Sequence, residues 1–350
     1  MVSASQTAAS PAGEVSKVRR ASESGDSMVL LLAGALMLLG GTSCNQGKTD
    51  VRAQAPVAQE TGSSPASIAA EPANVPMSLA INAARAMQYT KEVTAFGARP
   101  IGSANHKKLE EYIVAHLKGD QVEDDAFTAE TIEGKFPVRN IIAKFPGTKD
   151  GVIVIAGHYD TNYPLRNTRY VGANDGGSST AILLEIANQL RGKKRDGYSV
   201  WLLFTDGEEA VKQWSATDSL YGAKHVAERW QKDGTAKKIK ALLLADMIGD
   251  ADLNVERESN STPWLEDLVY QAATKRGYQS HFFARTLAVE DDHIPFVKAG
   301  VPSADLIDIE YGYGNVFHHS PQDTLDKLSP KSLQIVGDVI LQTVWMLDAR

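Results

Sequence analysis

The sequence predicts an α/β domain with a mixed, mostly parallel central sheet flanked by helices. Three observations lead there. Apolar runs of strand length alternate with segments whose apolar residues recur at helical spacing. Two of the runs, Val152–Ala156 (VIVIA) and Ala241–Ala245 (ALLLA), are apolar throughout, as strands covered on both faces are. Several runs end at glycine or aspartate next to histidines and carboxylates, and open α/β sheets bind ligands at the carboxyl ends of their strands.

In chain order, Ser78–Phe96 reads as a helix, with Leu79, Ile81, Ala84, Met87 and Val93 on one side, and His106–Leu117 as a second. Val138–Phe145 and Val152–Ala156 are strands, and Ser178–Leu190 is a helix. The strand Val200–Phe204 stops at Thr205-Asp206-Gly207, where glycine permits a turn into Glu208 and Glu209. Ser219–Trp230 is a helix, and Ala241–Ala245 is a strand ending at Asp246. Pro263–Arg276 is a helix with Ser261 or Thr262 as its cap, and Ala304–Ile309 is a late strand. Ser329 caps a final helix whose first position is Pro330.

The chain has 350 residues, of which 43% are hydrophobic and 23% charged, the composition of a globular protein. A formal net charge of -7 with no basic run argues against nucleic acid as a partner. The single cysteine, Cys44, excludes thiol-rich metal sites and a cysteine nucleophile from the main domain. Residues 1–44 read as an export signal: Met28–Leu39 is a short apolar block behind Lys17, Arg19 and Arg20. Small residues then lead to Cys44, an arrangement that resembles a bacterial lipoprotein signal, although Gly41 stands where leucine is usual. An ordinary secretory signal is the alternative. Either way the protein is expected to be exported, periplasmic or membrane-anchored through a lipid on Cys44. Residues 45–77, rich in Ala, Pro, Ser and Gln without a hydrophobic period, read as a disordered tether. Residues 78–350 form the catalytic domain.

Chemistry concentrates at the strand ends and the loops after them. These are GHYD (His158, Asp160), GANDGG (Asp175), DGEE (Glu208, Glu209), ADMIG (Asp246) and FHHSP (His318, His319). A lone His-x-Asp is more often a surface pair, and paired glutamates often simply open a helix. Five such sites in one α/β domain are hard to assign to chance. Histidine and carboxylate without thiol suit a catalytic zinc with an open coordination position. No G-x-S-x-G elbow, P-loop or dinucleotide fingerprint competes.

GHYDT, GANDGGSS, DGEE, ADMIG and HHSPQDT, in this order, resemble the zinc aminopeptidases of the bacterial leucyl type. That resemblance implies metal ligands at His158, Asp175, Glu209, Asp246 and His319, with Glu208 as general base and Asp160 orienting His158. Twelve residues, Ala210–Tyr221, separate Glu209 from Gly222, where typical aminopeptidases have only a few. This insert, DLNVERESNSTPWL and EDDHIPF are similar to the glutaminyl-peptide cyclotransferases, or glutaminyl cyclases. The closer resemblance implies one zinc held by Asp175, Glu209 and His319, with a second at His158 and Asp246 as the alternative. It also implies Glu208 as proton shuttle, Asp246 and Asp291 as a hydrogen-bonded acidic pair, and Trp214 as a substrate-pocket wall. Two departures stand out: His318 replaces the tryptophan of the animal cyclases, and their disulfide is impossible here.

The expected reaction is therefore cyclisation of an amino-terminal glutamine in peptide or protein substrates, releasing ammonia. Zinc-dependent aminopeptidase action is the alternative, and a binding module on the same fold is a third. The first two divide on whether the site seats a glutamine side chain or admits water to a peptide bond.

Overall fold

The computed structural model describes residues 80–350. The export signal, Cys44 and the tether lie outside the described residues. A six-stranded sheet runs in the order β1-β2-β4-β3-β5-β8. Its strands are β1 (Gln121–Thr131), β2 (Gly134–Phe145), β3 (Lys149–His158), β4 (Tyr198–Thr205), β5 (Ile239–Asp246) and β8 (Ser303–Ile307). β4, β3, β5 and β8 are mutually parallel, while β1 and β2 add an antiparallel margin.

The central strands are apolar on both sides because both sides are covered. In β3, Ile153 and Ile155 join one core while Val152, Val154 and Ala156 join the other; in β5, Ala241 and Leu243 oppose Leu242 and Leu244. Helices α1 (Ala83–Thr94), α3 (Gly177–Leu190), α5 (Pro263–Arg276) and α7 (Pro330–Asp348) supply the first core. Helices α4 (Tyr221–Lys232) and α6 (His293–Lys298) supply the second, with Trp230 packed against Phe296. α2 (Ala104–His116) adds Leu109 and Ile113 to the first core. The chain leaves β3 for α3 on one face, and after β4 returns through α4 on the other. The carboxyl end of β3 is thus the switch point where such sheets bind ligands.

Local chemistry sets the element ends. Ser329 Oγ accepts from the Lys331 N–H ahead of Pro330, capping α7 as its sequence implies. Thr262 stands at the cap of α5, but its hydroxyl instead accepts the Ser303 N–H of β8, 3.0 Å away. Helix α4 begins at Tyr221, later than its pattern suggests, because Leu220 turns into left-handed φ (54°).

Strand β1 was not anticipated. Its sequence, QVEDDAFTAET, is acidic and lacks an apolar stripe because it is an edge strand with much of its surface in solvent. It pairs with β2 through a turn at residues 132–133 and draws that strand back to Gly134. A second, two-stranded sheet of β6 (Val255–Glu258) and β7 (Phe282–Leu287) was also unforeseen. No helix among the described residues is long and apolar enough to cross a membrane.

Candidate active site

The expected site residues that adjoin strands lie at the carboxyl edge of the parallel sheet. His158 closes β3, Asp246 closes β5, and Glu208 and Glu209 follow β4. Buried side-chain-to-backbone bonds stitch the loops together. Asp160 accepts the N–H groups of Glu208 (3.1 Å) and Glu209 (3.3 Å), fixing the turn that Gly207 begins at φ 65°. Asn174 accepts from the Gly249 N–H and donates to the Met247 carbonyl. Asp323 accepts from the N–H groups of Asn174 and Asp175. Such bonds satisfy backbone groups that burial would otherwise strand, and they hold each loop in register with the next.

Asp175 faces two histidines. Its Oδ2 is 3.3 Å from His319 Nε2, which is 3.1 Å from Glu209 Oε1. Its Oδ1 is 3.2 Å from His158 Nε2, which is 3.0 Å from Asp246 Oδ1. Ligands on a tetrahedral zinc at the usual bond lengths stand roughly 3.3 Å apart, so these separations and donor types fit such an ion. His158, Asp175 and Asp246 bring their ligand atoms within 4.8 Å of one another, as do Asp175, His318 and His319, and Glu209 adjoins the second group through His319. Two non-glycine residues here, Met247 (φ 49°) and His319 (φ 46°), occupy left-handed backbone, a conformation found at functional sites.

The electrostatics follow from burial. Burial, then the charge of Asp175, pushes Glu209 up to about 7, while His319 opposes it. Burial would depress His319, but Glu209 and Asp175 raise it to about 11. Burial also works on Asp175, where His158 and His319 prevail and hold the carboxyl well below its ordinary value. Burial raises Glu208 well above the usual range, with the charges of Asp291 and Glu209 adding to the effect. A divalent cation among these groups would hold its ligands ionised and override the push from burial.

The site opens into a cavity of about 500 Å³. Glu208, Asp246, Asp291 and Trp214 share its lining with Asp175, His318 and His319. Leu287, Val289, Ile307 and Ile309 make the rest of the wall largely apolar. Trp214 is 36% exposed and sits in the Ala210–Tyr221 insert. That insert is organised by Asp218, whose carboxylate accepts from the N–H groups of Val211, Lys212 and Gln213 and from the Tyr221 hydroxyl.

Three arrangements differ from expectation. Asp160 lies 3.6 Å from His158 Nδ1, beyond hydrogen-bond reach, and acts on the Glu208-Glu209 turn instead. Asp246 Oδ1 accepts from the Met247 N–H and faces His158. Asp291 is buried near Asp305, whose charge environment it shares. The expected acidic pair is therefore part of a cluster of three, since the charge of Asp246 acts on both others. Burial with Asp246 nearby raises Asp291 to about 6, and burial with Asp291 nearby holds Asp305 well above its ordinary value. His293 stands behind, 3.5 Å from Asp305 and 2.9 Å from Glu258. Asp305 was missed because, inside an apolar strand, one aspartate carries no motif.

Asn162 and Tyr170 were missed as well. Asn162 donates to Glu209 Oε2 (2.9 Å), and the Tyr170 hydroxyl donates to Asp175 Oδ2. Both neighbour ligand-bearing loops, so their proximity in sequence was the available signal.

Residues 140–344 match Peptidase family M28, and the chain belongs to this metal-dependent family. Similar proteins include glutaminyl-peptide cyclotransferases, and similar structures include glutaminyl cyclases. The Drosophila melanogaster glutaminyl-peptide cyclotransferase is 32% identical over 252 residues, which are 64% of this chain and 70% of that protein. A Mus musculus glutaminyl-peptide cyclotransferase-like protein is 30% identical over 273 residues, 69% of this chain and 70% of that one. The crystal structure of an Acidobacteriales bacterium glutaminyl cyclase is 50% identical, with a TM-score of 0.77, covering 81% of this chain and 99% of that chain. The chain is accordingly an enzyme of the cyclotransferase kind, and the aminopeptidase alternative is not favoured.

Proposed function

We propose that this enzyme converts the amino-terminal glutamine of peptides and proteins to pyroglutamate, releasing ammonia with one zinc ion at its centre. The observation that carries the reading is the single apolar-walled cavity shared by Glu208, Asp246, Asp291, Trp214 and the ligand-type residues Asp175 and His319. In the substrate, nucleophile and electrophile belong to one residue, so proximity is largely built in.

Asp175, Glu209 and His319 would hold the ion, and a zinc there supplies Lewis-acid polarisation of the substrate's γ-carbonyl. Glu208 takes a proton from the α-amine as its nitrogen bonds to the γ-carbon, then delivers it to the departing amide nitrogen as that carbon–nitrogen bond breaks. Ammonia leaves and the lactam remains. Asp246, Asp291 and Asp305 form a buried acidic cluster that steadies the amine while it carries positive charge. Trp214 and the aliphatic wall keep water from the polarised carbonyl.

A single ion follows the likeness to the glutaminyl cyclases, and His158 between Asp175 and Asp246 marks where a second would sit. Burial works against its protonation, but Asp246, Asp160 and Asp175 hold its pKa well above the ordinary histidine value. The Met28–Cys44 segment supports export, with Cys44 as the attachment point for a lipid anchor.

Mass spectrometry on a glutamine-initiated and a leucine-initiated peptide tests the reaction. The first should lose ammonia with every peptide bond intact, and the second should remain unchanged. Release of a free amino-terminal residue without ammonia loss would refute the cyclotransferase reading.

A further inference from the structure

His318 lines the catalytic cavity where the animal cyclases carry tryptophan, and its surroundings fix which ring nitrogen bears the proton. The Tyr311 N–H donates to Asn315 Oδ1 at 3.1 Å. A backbone N–H can only donate, so this bond sets the orientation of the Asn315 amide. Asn315 Nδ2 therefore faces His318 Nδ1, 3.1 Å away. An amide nitrogen also can only donate, so Nδ1 accepts and the ring proton belongs on Nε2. Asn315 reaches this position from left-handed backbone (φ 61°), which asparagine tolerates better than most residues. The imidazole is further held against His319, with ring centroids 4.0 Å apart. No protein hydrogen bond among the described residues engages His318 Nε2, and a ring nitrogen of His318 lies within 4.8 Å of ligand atoms of Asp175 and His319, so the ring borders the set that would hold the ion.

We propose that His318 is a substrate-binding residue whose Nε2–H donates to the carbonyl oxygen of the first peptide bond of the substrate. The assignment rests on the cyclotransferase reading and deepens it. A substrate's first glutamine brings three polar groups into the cavity. The α-amine belongs to Glu208, and the γ-carbonyl belongs to the set of Asp175, Glu209 and His319. Closing a five-membered ring holds the α-carbon near the γ-carbon, so the α-carbonyl lies beside the same set, on which the His318 ring is packed. Left unpaired against the aliphatic wall, that carbonyl would lose its bonds to water without replacement. The free N–H of His318 supplies one. The residue therefore reads the acceptor that follows the glutamine side chain.

The test uses the full-length, zinc-loaded enzyme and two probes, glutaminyl-alanine amide and its analogue with a thiocarbonyl, a weaker acceptor, at the first peptide bond. His318→Phe keeps a flat ring and removes the donor, while His318→Gln restores an amide N–H on a similar reach. The wild type should show a KM roughly three- to tenfold lower for the oxo than for the thio substrate, the size of one neutral hydrogen bond. His318→Phe should raise KM for the oxo substrate by that factor, leave the thio substrate and kcat nearly unchanged, and be partly rescued by His318→Gln. An equal rise for both substrates, or none, would overturn the assignment. ¹⁵N histidine spectra of the wild type test it without turnover, since a ring proton found on Nδ1 would overturn it too. If the wild type leaves the oxo peptide uncyclised, the cyclotransferase reading falls first, and the assignment with it.

Discussion

Replacing Glu208 by glutamine separates proton transfer from every other task of the site. The side chain keeps its length and shape but can no longer take a proton from the amine. Its backbone anchors survive, because the Glu208 N–H still meets Asp160 and its carbonyl still accepts from the Leu220 N–H at 2.7 Å. Among the described residues, the one ion pair of the carboxylate is with His158 Nδ1, 4.0 Å away. Burial raises its pKa well above the unfolded value, so folding at neutral or higher pH is opposed by the cost of ionising it. A neutral glutamine removes that cost. The variant should therefore bind zinc normally and melt at the wild-type temperature or slightly above it. Its kcat should fall roughly 10²–10⁴-fold, the range for a positioned general acid–base group. Ammonia release, metal analysis and thermal melting on one preparation measure all three. Near-full activity would move the proton shuttle elsewhere, and a clearly lower melting temperature would refute the account of its burial.

Protein purified without added zinc should retain one equivalent after dialysis and lose it on His319→Ala; two retained equivalents would place an ion between His158 and Asp246. Alkaline pH should weaken the fold through His106, which contacts Asp206 at 2.6 Å and Glu110 at 3.3 Å. Burial would depress its pKa, but Asp206 and Glu110 lift it to about 10. Its contribution is thus complete below about 6.5 and is lost as pH rises through 10. Melting temperature should fall over that interval, and less steeply in His106→Gln, so equal slopes would count against the pair. Cys44→Ala should release the protein from membranes without changing turnover, and fractionation showing the wild type wholly soluble would remove the anchor.

The sequence carried the parallel core and its ligand-bearing edge because both rest on local signals. Val152–Ala156 and Ala241–Ala245 are apolar at every position since helices cover both faces of the sheet, and that pattern needs no partner to be read. His158, Asp175, Glu208, Glu209 and Asp246 stand out because each adjoins a strand end or a glycine turn. The length of the Ala210–Tyr221 insert was legible for the same reason. Tertiary structure alone decided what is held by contacts distant in the chain. Strand β1 is acidic and is defined by its pairing with β2 rather than by a buried stripe. Asp305 is one polar residue in an apolar strand until β8 sets it against Asp291. Asp160 could have served His158 or the Glu208-Glu209 turn, and only the approach of β3 to β4 directs it to the turn. Which nitrogen of His318 carries its proton depends on a backbone N–H and an amide brought together by a left-handed residue. Residue type and spacing tell which chemistry is available; hydrogen-bond direction and the desolvation of particular atoms arise only once the loops are packed.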